Sequence, residues 1–150
     1  MAAKKGKKVE SSNSVMVLMK YGYEDNFVRL KRITVLKKDS WGNEEDMSTY
    51  QALTAVVLKG EKSETVARNL GVQYSSNPAG DKLRLVATLH VGKCLTRVYE
   101  YMTKSSYSWK TFLGVQWYSI DSLPYSVDPP TKAMLALCET KKEYTIVEKV

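Results

Sequence analysis

The segment from Leu83 to Val91 constrains the fold most, because apolar residues occupy every second position along it. The residues between them are Arg84, Val86, Thr88 and His90, and a period of two is that of a β-strand with one buried face. A Gly-Lys turn and a second segment rich in β-forming residues follow directly. The sequence therefore predicts a β-hairpin over residues 83–103.

Helical spacing is confined to the middle of the chain. Ser48 and Gln51 match a capping box, in which each side chain satisfies a free backbone N–H group. Apolar residues at the spacing of a helix face continue from there to Leu58. A second short helix is predicted over residues 61–70, with Gly71 as its C-terminal cap.

Strand patterns cover much of the remaining chain. In chain order they are residues 15–19, 27–36, 111–120, 133–138 and 143–147, and the last two are predicted to form a closing hairpin. Long alternation of strands and helices is absent, which argues against a doubly wound parallel sheet. The predicted fold class is therefore α+β, a mostly antiparallel sheet with the helical pair packed on it, in a single domain over residues 15–150.

The first 14 residues differ from the rest of the chain in composition. They hold four lysines, Lys4, Lys5, Lys7 and Lys8, together with three serines and an asparagine. A segment with so few apolar residues cannot offset its ordering entropy by burial, so residues 1–14 are predicted to form a flexible tail. The chain has a formal net charge of +7, and the four tail lysines contribute to it. The tail therefore favours partners with negative charge.

A second basic group lies on and just after the second predicted strand. It consists of Arg29, Lys31, Arg32, Lys37 and Lys38. Together with the tail lysines it is predicted to bind a polyanion, either anionic lipid or the phosphates of RNA or DNA. The alternative for this group is a solvated surface without a partner.

An acidic cluster, Glu44, Glu45 and Asp46, directly precedes the first predicted helix. Its carboxylates suit the positive end of that helix. The alternative is a self-association patch that binds the basic face of another copy of the chain. Trp41 lies beside the cluster in a polar loop, so it is expected to be exposed and to belong to this patch.

Motifs typical of catalysis or metal binding are absent from the sequence. It lacks the G-x-G-x-x-G, phosphate-loop, G-x-S-x-G and H-E-x-x-H patterns. The single histidine, His90, has no partner nearby in the sequence, and Cys94 and Cys138 match no zinc-ligand spacing. The two cysteines are expected to be buried free thiols, and the alternative is a disulfide between them. The sequence therefore predicts a protein that is not an enzyme and that uses neither a cofactor nor a metal.

The closing segment resembles that of rhabdovirus matrix proteins. Residues 132–137, Lys-Ala-Met-Leu-Ala-Leu, are followed by a lysine pair at 141–142 and by the apolar residues 144–147. This is similar to the apolar strand, lysine pair and final strand of vesiculovirus-type matrix proteins. A departure from that family is residues 128–131, Asp-Pro-Pro-Thr, in place of a P-P-x-Y budding motif. The resemblance implies self-association, nucleocapsid condensation and contact with the inner leaflet of an envelope.

These observations lead to a hypothesis about function. The chain is predicted to be a viral structural protein of matrix type, which associates with itself and bridges the nucleocapsid to an anionic membrane. Its expected location is the virion, the host cytoplasm and the inner membrane face. The alternative is a small viral coat or other nucleic-acid-binding protein that uses its lysine-rich tail on RNA or DNA.

Overall fold

The computed structural model describes residues 12–21, 27–34, 36–75, 77–104 and 114–148. The strands in these ranges are β1 (Ser12–Tyr21), β2 (Phe27–Ile33), β3 (Leu36–Lys38), β4 (Glu44–Asp46), β5 (Thr49–Gln51), β6 (Leu53–Val56), β7 (Lys82–Val91), β8 (Cys94–Thr103), β9 (Val115–Ser119) and β10 (Tyr144–Glu148). The helices are α1 (Ser63–Gln73) and α2 (Pro129–Cys138), with a 3-10 turn at Ile120–Ser122. Neither described helix is long and apolar enough to cross a membrane.

Eight of the described strands form one mixed sheet. Its main path runs β10-β7-β8-β1-β2-β5, with β6 paired to β1 and β9 paired to β2. The β1–β8 and β7–β10 pairs are parallel, and the other pairs of this sheet are antiparallel. The predicted α+β class with a mostly antiparallel sheet is confirmed, and β7 and β8 form the hairpin predicted over residues 83–103.

The central strand β1 is buried on both of its faces. Val15 and Val17 belong to the apolar layer that includes Ala67 of α1. Met16 and Leu18 belong to the layer that includes Met134 of α2. An unbroken apolar run is typical of a strand covered on both sides. The sheet therefore lies between the two helices, and each of its faces carries a separate apolar layer.

The helix predicted from Ser48 to Leu58 is wrong, because this segment contains the strands β5 and β6. β5 pairs with β2, β6 pairs with β1, and the chain steps from one neighbour to the other at Ala52. This arrangement buries Leu53 and Val57 but leaves Val56 and Leu58 63% exposed. Pairing with β1 and β2 outweighs the local helical spacing, because a weak intrinsic preference yields to tertiary contacts.

The second predicted helix corresponds to α1, which continues to Gln73. Gly71 is therefore not its C-terminal cap. It is buried in the last turn of the helix, where it packs directly against the ring of Tyr101. The glycine is needed at this position because the helix approaches β8 too closely to accommodate a larger side chain.

The predicted closing hairpin is also wrong, because residues 133–138 belong to α2. Asp128 caps this helix, since its Oδ1 accepts a hydrogen bond from the Thr131 N–H at 2.9 Å. Prolines at the first helical positions suit such a start. The last strand, β10, pairs with β7 in parallel. The buried side chains of α2 follow helical spacing: Thr131, Met134, Leu135 and Cys138.

Thr131 attaches α2 to the sheet. Its side chain is fully buried, and its Oγ1 accepts a hydrogen bond from the Ala52 N–H at 2.9 Å. Thr131→Val keeps the shape but leaves that N–H buried without an acceptor. We expect the free energy of unfolding to fall by about 1–3 kcal/mol, measured by denaturant titration. Thr131→Ser retains the hydroxyl and should lose less, so equal losses in the two variants would contradict this role.

Candidate functional site

A cavity of about 390 Å³ lies where the start of α1 meets the sheet. We refer to it as the α1 pocket. Its lining includes Asn13 near the start of β1, Arg97 on β8, and Glu61, Lys62 and Glu64 at the start of α1. The pocket therefore combines carboxylates, cationic side chains and an amide.

A tight turn leads into α1 and fixes Glu61. The carbonyl of Leu58 accepts a hydrogen bond from the Glu61 N–H at 3.0 Å. Gly60 has a φ of +89°, which is the conformation that the third residue of a type II turn requires. The Glu61 Oε1 in turn accepts a hydrogen bond from the Leu58 N–H at 2.8 Å. This pair of bonds holds the Glu61 side chain at the edge of the α1 pocket.

The start of α1 is suited to an anion. The first N–H groups of an α-helix have no acceptor within the helix, and the N-cap residue Lys62 provides none from its side chain. These N–H groups form the positive end of the helix dipole, which favours negative charge. The ammonium group of Lys62 adds a full positive charge to the same pocket.

Arg97 connects β8 to α1 inside the pocket. Its Nη1 donates a hydrogen bond to the Ser63 Oγ at 2.9 Å. The neighbouring Tyr99 is buried, and that burial raises the pKa of its hydroxyl, while Arg97 opposes the rise and Glu64 adds to it. A guanidinium and a carboxylate therefore both act on the Tyr99 hydroxyl, and all three side chains line the α1 pocket.

Arg29 lies on the α1 side of the sheet but inside the protein. It is 5% exposed, and its guanidinium carbon lies 4.8 Å from the centre of the Trp117 ring. Its Nε and Nη1 are buried without a hydrogen-bond partner among the described residues, and burial lowers the pKa of the side chain. The contact with the ring is a cation–π interaction, which stabilises the guanidinium.

The other basic residues predicted to bind a polyanion do not form one patch. Lys31 and Arg32 are both exposed, but they alternate along β2 and so lie on opposite faces of the sheet. β1 begins at Ser12, within the tail predicted over residues 1–14. The four tail lysines, Lys4, Lys5, Lys7 and Lys8, lie outside the described residues, and their binding to a polyanion stays a prediction.

Lys37 and Lys38 lie in a small hairpin, β3–β4, with the acidic cluster. Lys37 is opposite Glu45 in the register of this hairpin, and Lys38 is opposite Glu44. The acidic cluster, with Asp46 at its end, therefore forms a strand and does not precede a helix as predicted. Directly opposite charges stabilise a hairpin, and this local balance removes the reason to expect the cluster to bind a second copy.

Trp41 is 86% exposed in the loop of the same hairpin, as the sequence predicts. Asp39 holds that loop, since its Oδ1 accepts hydrogen bonds from the N–H groups of Trp41 at 2.8 Å and Asn43 at 2.9 Å. This pattern is a typical aspartate turn. The exposed ring is therefore presented by an ordered loop.

A buried ionic cluster lies on the opposite face, beneath α2. The Glu100 carboxylate is 3.4 Å from the Lys20 Nζ and 3.1 Å from the Arg84 Nε. The Cys138 Sγ donates a hydrogen bond to the Glu100 Oε2 at 3.0 Å. Both cysteines are free thiols, but Cys94 is exposed rather than buried as predicted.

Neither the α1 pocket nor the ionic cluster was predicted from the sequence. One usable signal is the Gly60-Glu61 pair before a helix, which indicates a fixed turn. Another is that Lys20 and Glu100 each continue the alternation of buried residues along a strand. Two opposite charges at core-facing positions indicate a buried ion pair. No local pattern predicts that Arg97 lines the α1 pocket, because its position there depends on the pairing of β8 with β1.

No family model matches the chain, and no curated protein matches it in sequence. The fold, however, is similar to solved structures. The C-terminal domain of mouse MUTYH, solved in complex with human PCNA, has a TM-score of 0.59 at 12% identity, covering 86% of this chain and 88% of that chain. A NUDIX hydrolase from Nitrosomonas europaea has a TM-score of 0.59 at 10% identity, covering 95% and 82%. A UDP-X diphosphatase has a TM-score of 0.55 at 11% identity, covering 93% and 69%.

These likenesses correct the functional hypothesis. The resemblance to rhabdovirus matrix proteins is wrong, because the fold is similar to that of NUDIX hydrolases. Residues 132–137, which correspond to the apolar strand in that resemblance, belong to helix α2. The viral matrix and coat hypotheses fall with it, as do the predicted lipid, nucleocapsid, nucleic-acid and self-association partners. The prediction that the chain is not an enzyme is overturned as well, since several structures with this fold are hydrolases. At this level of identity the likeness establishes the fold alone.

Proposed function

We propose that the chain binds a nucleotide-type diphosphate in the α1 pocket and hydrolyses its phosphoanhydride bond. The observation that carries this proposal is the pocket itself, which brings Glu61 and Glu64 together with Lys62 and Arg97 at an uncapped helix start. The reaction class is suggested by similar folds, which include a UDP-X diphosphatase and a NUDIX hydrolase.

The positive groups of the α1 pocket are suited to a diphosphate. Lys62, Arg97 and the free N–H groups of α1 supply charge-assisted hydrogen bonds to phosphate oxygens. Arg97 is already held by Ser63, so less side-chain entropy is lost when a ligand binds. The cavity volume of about 390 Å³ is within the range of small-molecule sites.

The carboxylates of the pocket fit a divalent cation that arrives with its substrate. Mg²⁺ is usually held by one or two carboxylates together with substrate phosphates, and Glu61 and Glu64 match that donor set in number and kind. Within the described residues no group of three or more histidine, cysteine, aspartate or glutamate side chains could hold a metal by itself. When bound, such an ion would neutralise charge on the phosphates.

The two glutamates are assigned different roles. Glu61 is fixed by the turn before α1, so it suits the role of an ion ligand. Glu64 lies in the first turn of α1, where its Oε2 is 3.5 Å from the Arg68 Nη2, and it is assigned the role of base. A water oxygen adds to phosphorus, the bond from phosphorus to the bridging oxygen breaks, and the water proton passes to Glu64.

Arg97→Ala is expected to lower kcat/KM by about 100-fold, because one charge-assisted contact to the developing phosphate charge is lost. The assay follows phosphate or nucleotide release from UDP-sugars, nucleoside diphosphates and nucleoside triphosphates with Mg²⁺. The matched control is Lys132→Ala, which removes an exposed cation from α2 on the other face of the sheet.

Glu64→Gln tests the second half of the site. It should lower kcat with little change in KM, whereas Glu139→Gln, at the exposed end of α2, should change neither. The proposal fails if the intact protein hydrolyses none of these substrate classes. It also fails if Arg97→Ala and Lys132→Ala have the same effect.

A further inference from the structure

A second cavity, of about 480 Å³, opens on the α2 side of the sheet. Its lining includes Arg32 from β2, Tyr50 from β5, and Gln116 and Tyr118 from β9, and we refer to it as the tyrosine pocket. Alternation along β9 places Gln116 and Tyr118 on the face opposite the buried Trp117. The tyrosine pocket and the α1 pocket therefore lie on opposite faces of the sheet.

Two tyrosine rings form a preformed wall of this pocket. The rings of Tyr50 and Tyr118 are 5.5 Å apart in an edge-to-face arrangement. Tyr50 is fixed through its backbone, which bonds to Ser126 at 3.1 Å and to Asp128 at 2.9 Å. Burial, and then contact with Tyr50, raises the pKa of the Tyr118 hydroxyl. The wall therefore offers apolar ring surface together with two hydroxyl groups.

The rest of the tyrosine pocket is polar and positive. Arg32 supplies a guanidinium, and its charge acts on the hydroxyl of Tyr118, so the two groups are close. The amide of Gln116 can both donate and accept hydrogen bonds. Among the described residues that line the pocket none carries a carboxylate. A ligand with a flat ring and a negative group is complementary to this set.

We propose that the tyrosine pocket binds a nucleoside monophosphate. The base would lie against Tyr50 and Tyr118 with its edge on Gln116, and the phosphate would meet Arg32. A single guanidinium matches one phosphate better than a diphosphate or triphosphate. The cavity volume leaves room for a sugar between the two ends of the ligand. This site is separate from the proposed hydrolysis and does not depend on it.

The test is calorimetric titration of the whole chain with AMP, GMP and UMP. Inorganic phosphate and the free nucleosides serve as separate arms, because each carries only one half of the recognised chemistry. Arg32→Ala should weaken nucleoside monophosphate binding at least about 10-fold, the loss of one charge-assisted contact. Lys31→Ala removes the adjacent exposed charge on the other face of β2 and should leave the affinity unchanged. Gln116→Ala should alter the preference among the three bases.

Arg97→Ala separates the two sites. Nucleoside monophosphate binding that survives Arg97→Ala but is lost in Arg32→Ala supports the tyrosine pocket. Binding that is lost in Arg97→Ala would place the ligand in the α1 pocket and overturn the inference, as would the absence of binding to all three nucleotides. If the chain hydrolyses nothing but keeps Arg32-dependent binding, the function proposed for the α1 pocket fails and this inference stands.

Discussion

Glu100→Gln is expected to lower the free energy of unfolding by about 3–5 kcal/mol, because it leaves a buried ammonium without its counter-charge. Lys20 is 3% exposed and Glu100 is 6% exposed, so water cannot replace the lost interaction. The Lys20 Nζ lies 3.4 Å from the Glu100 Oε2. The measurement is denaturant unfolding of both proteins at neutral pH.

The stabilising effect of Glu100 should depend on pH. Burial by itself raises the pKa of this carboxyl, but the hydrogen bond from Cys138 and the charges of Lys20 and Arg84 outweigh it, so the folded-state pKa is below the usual value. Such a group stabilises the fold fully above its unfolded-state pKa. Its contribution is lost as the pH falls through the folded-state pKa. The difference between the wild type and Glu100→Gln should therefore shrink towards acidic pH.

An exposed ion pair provides the control for Glu100. Glu64 and Arg68 are 3.5 Å apart with side chains 68% and 46% exposed, and Glu64→Gln should change stability by less than about 1 kcal/mol. A loss for Glu100→Gln no larger than for this control would contradict the prediction. A loss that persists undiminished at acidic pH would contradict the charge pairing specifically.

The Cys138 thiol in the same cluster is not an activated nucleophile. Burial and the hydrogen bond to Glu100 raise its pKa to about 11. A thiolate is the reactive form of cysteine, so at neutral pH this group acts as a protonated hydrogen-bond donor. The hydrogen bond that this thiol donates accounts for a free cysteine next to a carboxylate in the apolar layer beneath α2.

Local patterns predicted the elements whose burial follows from the chain itself. The alternation over residues 83–91 predicts β7, although an irregularity between Leu85 and Ala87 places the first leucines of the strand in the α1 layer and Ala87 and Leu89 in the α2 layer. The run over residues 15–19 predicts β1 because both of its faces are covered. The α2 helix was missed although its signals are present. Asp128 before two prolines is typical of a helix start. The buried residues of α2 also recur at helical spacing.

Non-local pairing accounts for the remaining errors. Residues 48–58 carry helical spacing, but the unpaired edges of β1 and β2 draw them into the sheet. The parallel pairing of β1 with β8 joins residues about 80 positions apart, and no local pattern encodes it. Because that pairing brings Arg97 to the start of α1, the α1 pocket could not be predicted from the sequence alone.

Net charge was a poor guide to function for a similar reason. The basic residues of β2 and β3 are close in sequence but differ in environment. Arg29 is buried against Trp117, Lys31 and Arg32 are on opposite faces, and Lys37 and Lys38 are opposite glutamates. A count of charges treats them as one surface, whereas the period of a strand and the register of a hairpin separate them.

Gly71→Ala is expected to destabilise the fold by about 1–3 kcal/mol through overpacking. A methyl group at this position would overlap the ring of Tyr101. That ring is 1% exposed and is held by the hydrogen bond that its hydroxyl donates to the Asp81 Oδ2 at 2.7 Å, so it cannot move aside. At an exposed helix position, alanine in place of glycine stabilises by about 1 kcal/mol. A fall in the free energy of unfolding would therefore indicate that α1 packs closely against β8, whereas a rise would indicate open space at this position.

The same substitution links this packing to the proposed activity. If α1 is pushed away from β8, Ser63 and Glu64 move relative to Arg97, so hydrolysis at the α1 pocket should weaken. Nucleoside monophosphate binding in the tyrosine pocket, on the other face, should be retained. The control is Asn69→Ala on the exposed side of α1, which should leave stability unchanged or slightly raised. A Gly71→Ala protein as stable as the wild type would show that α1 does not pack on Tyr101 as closely as described.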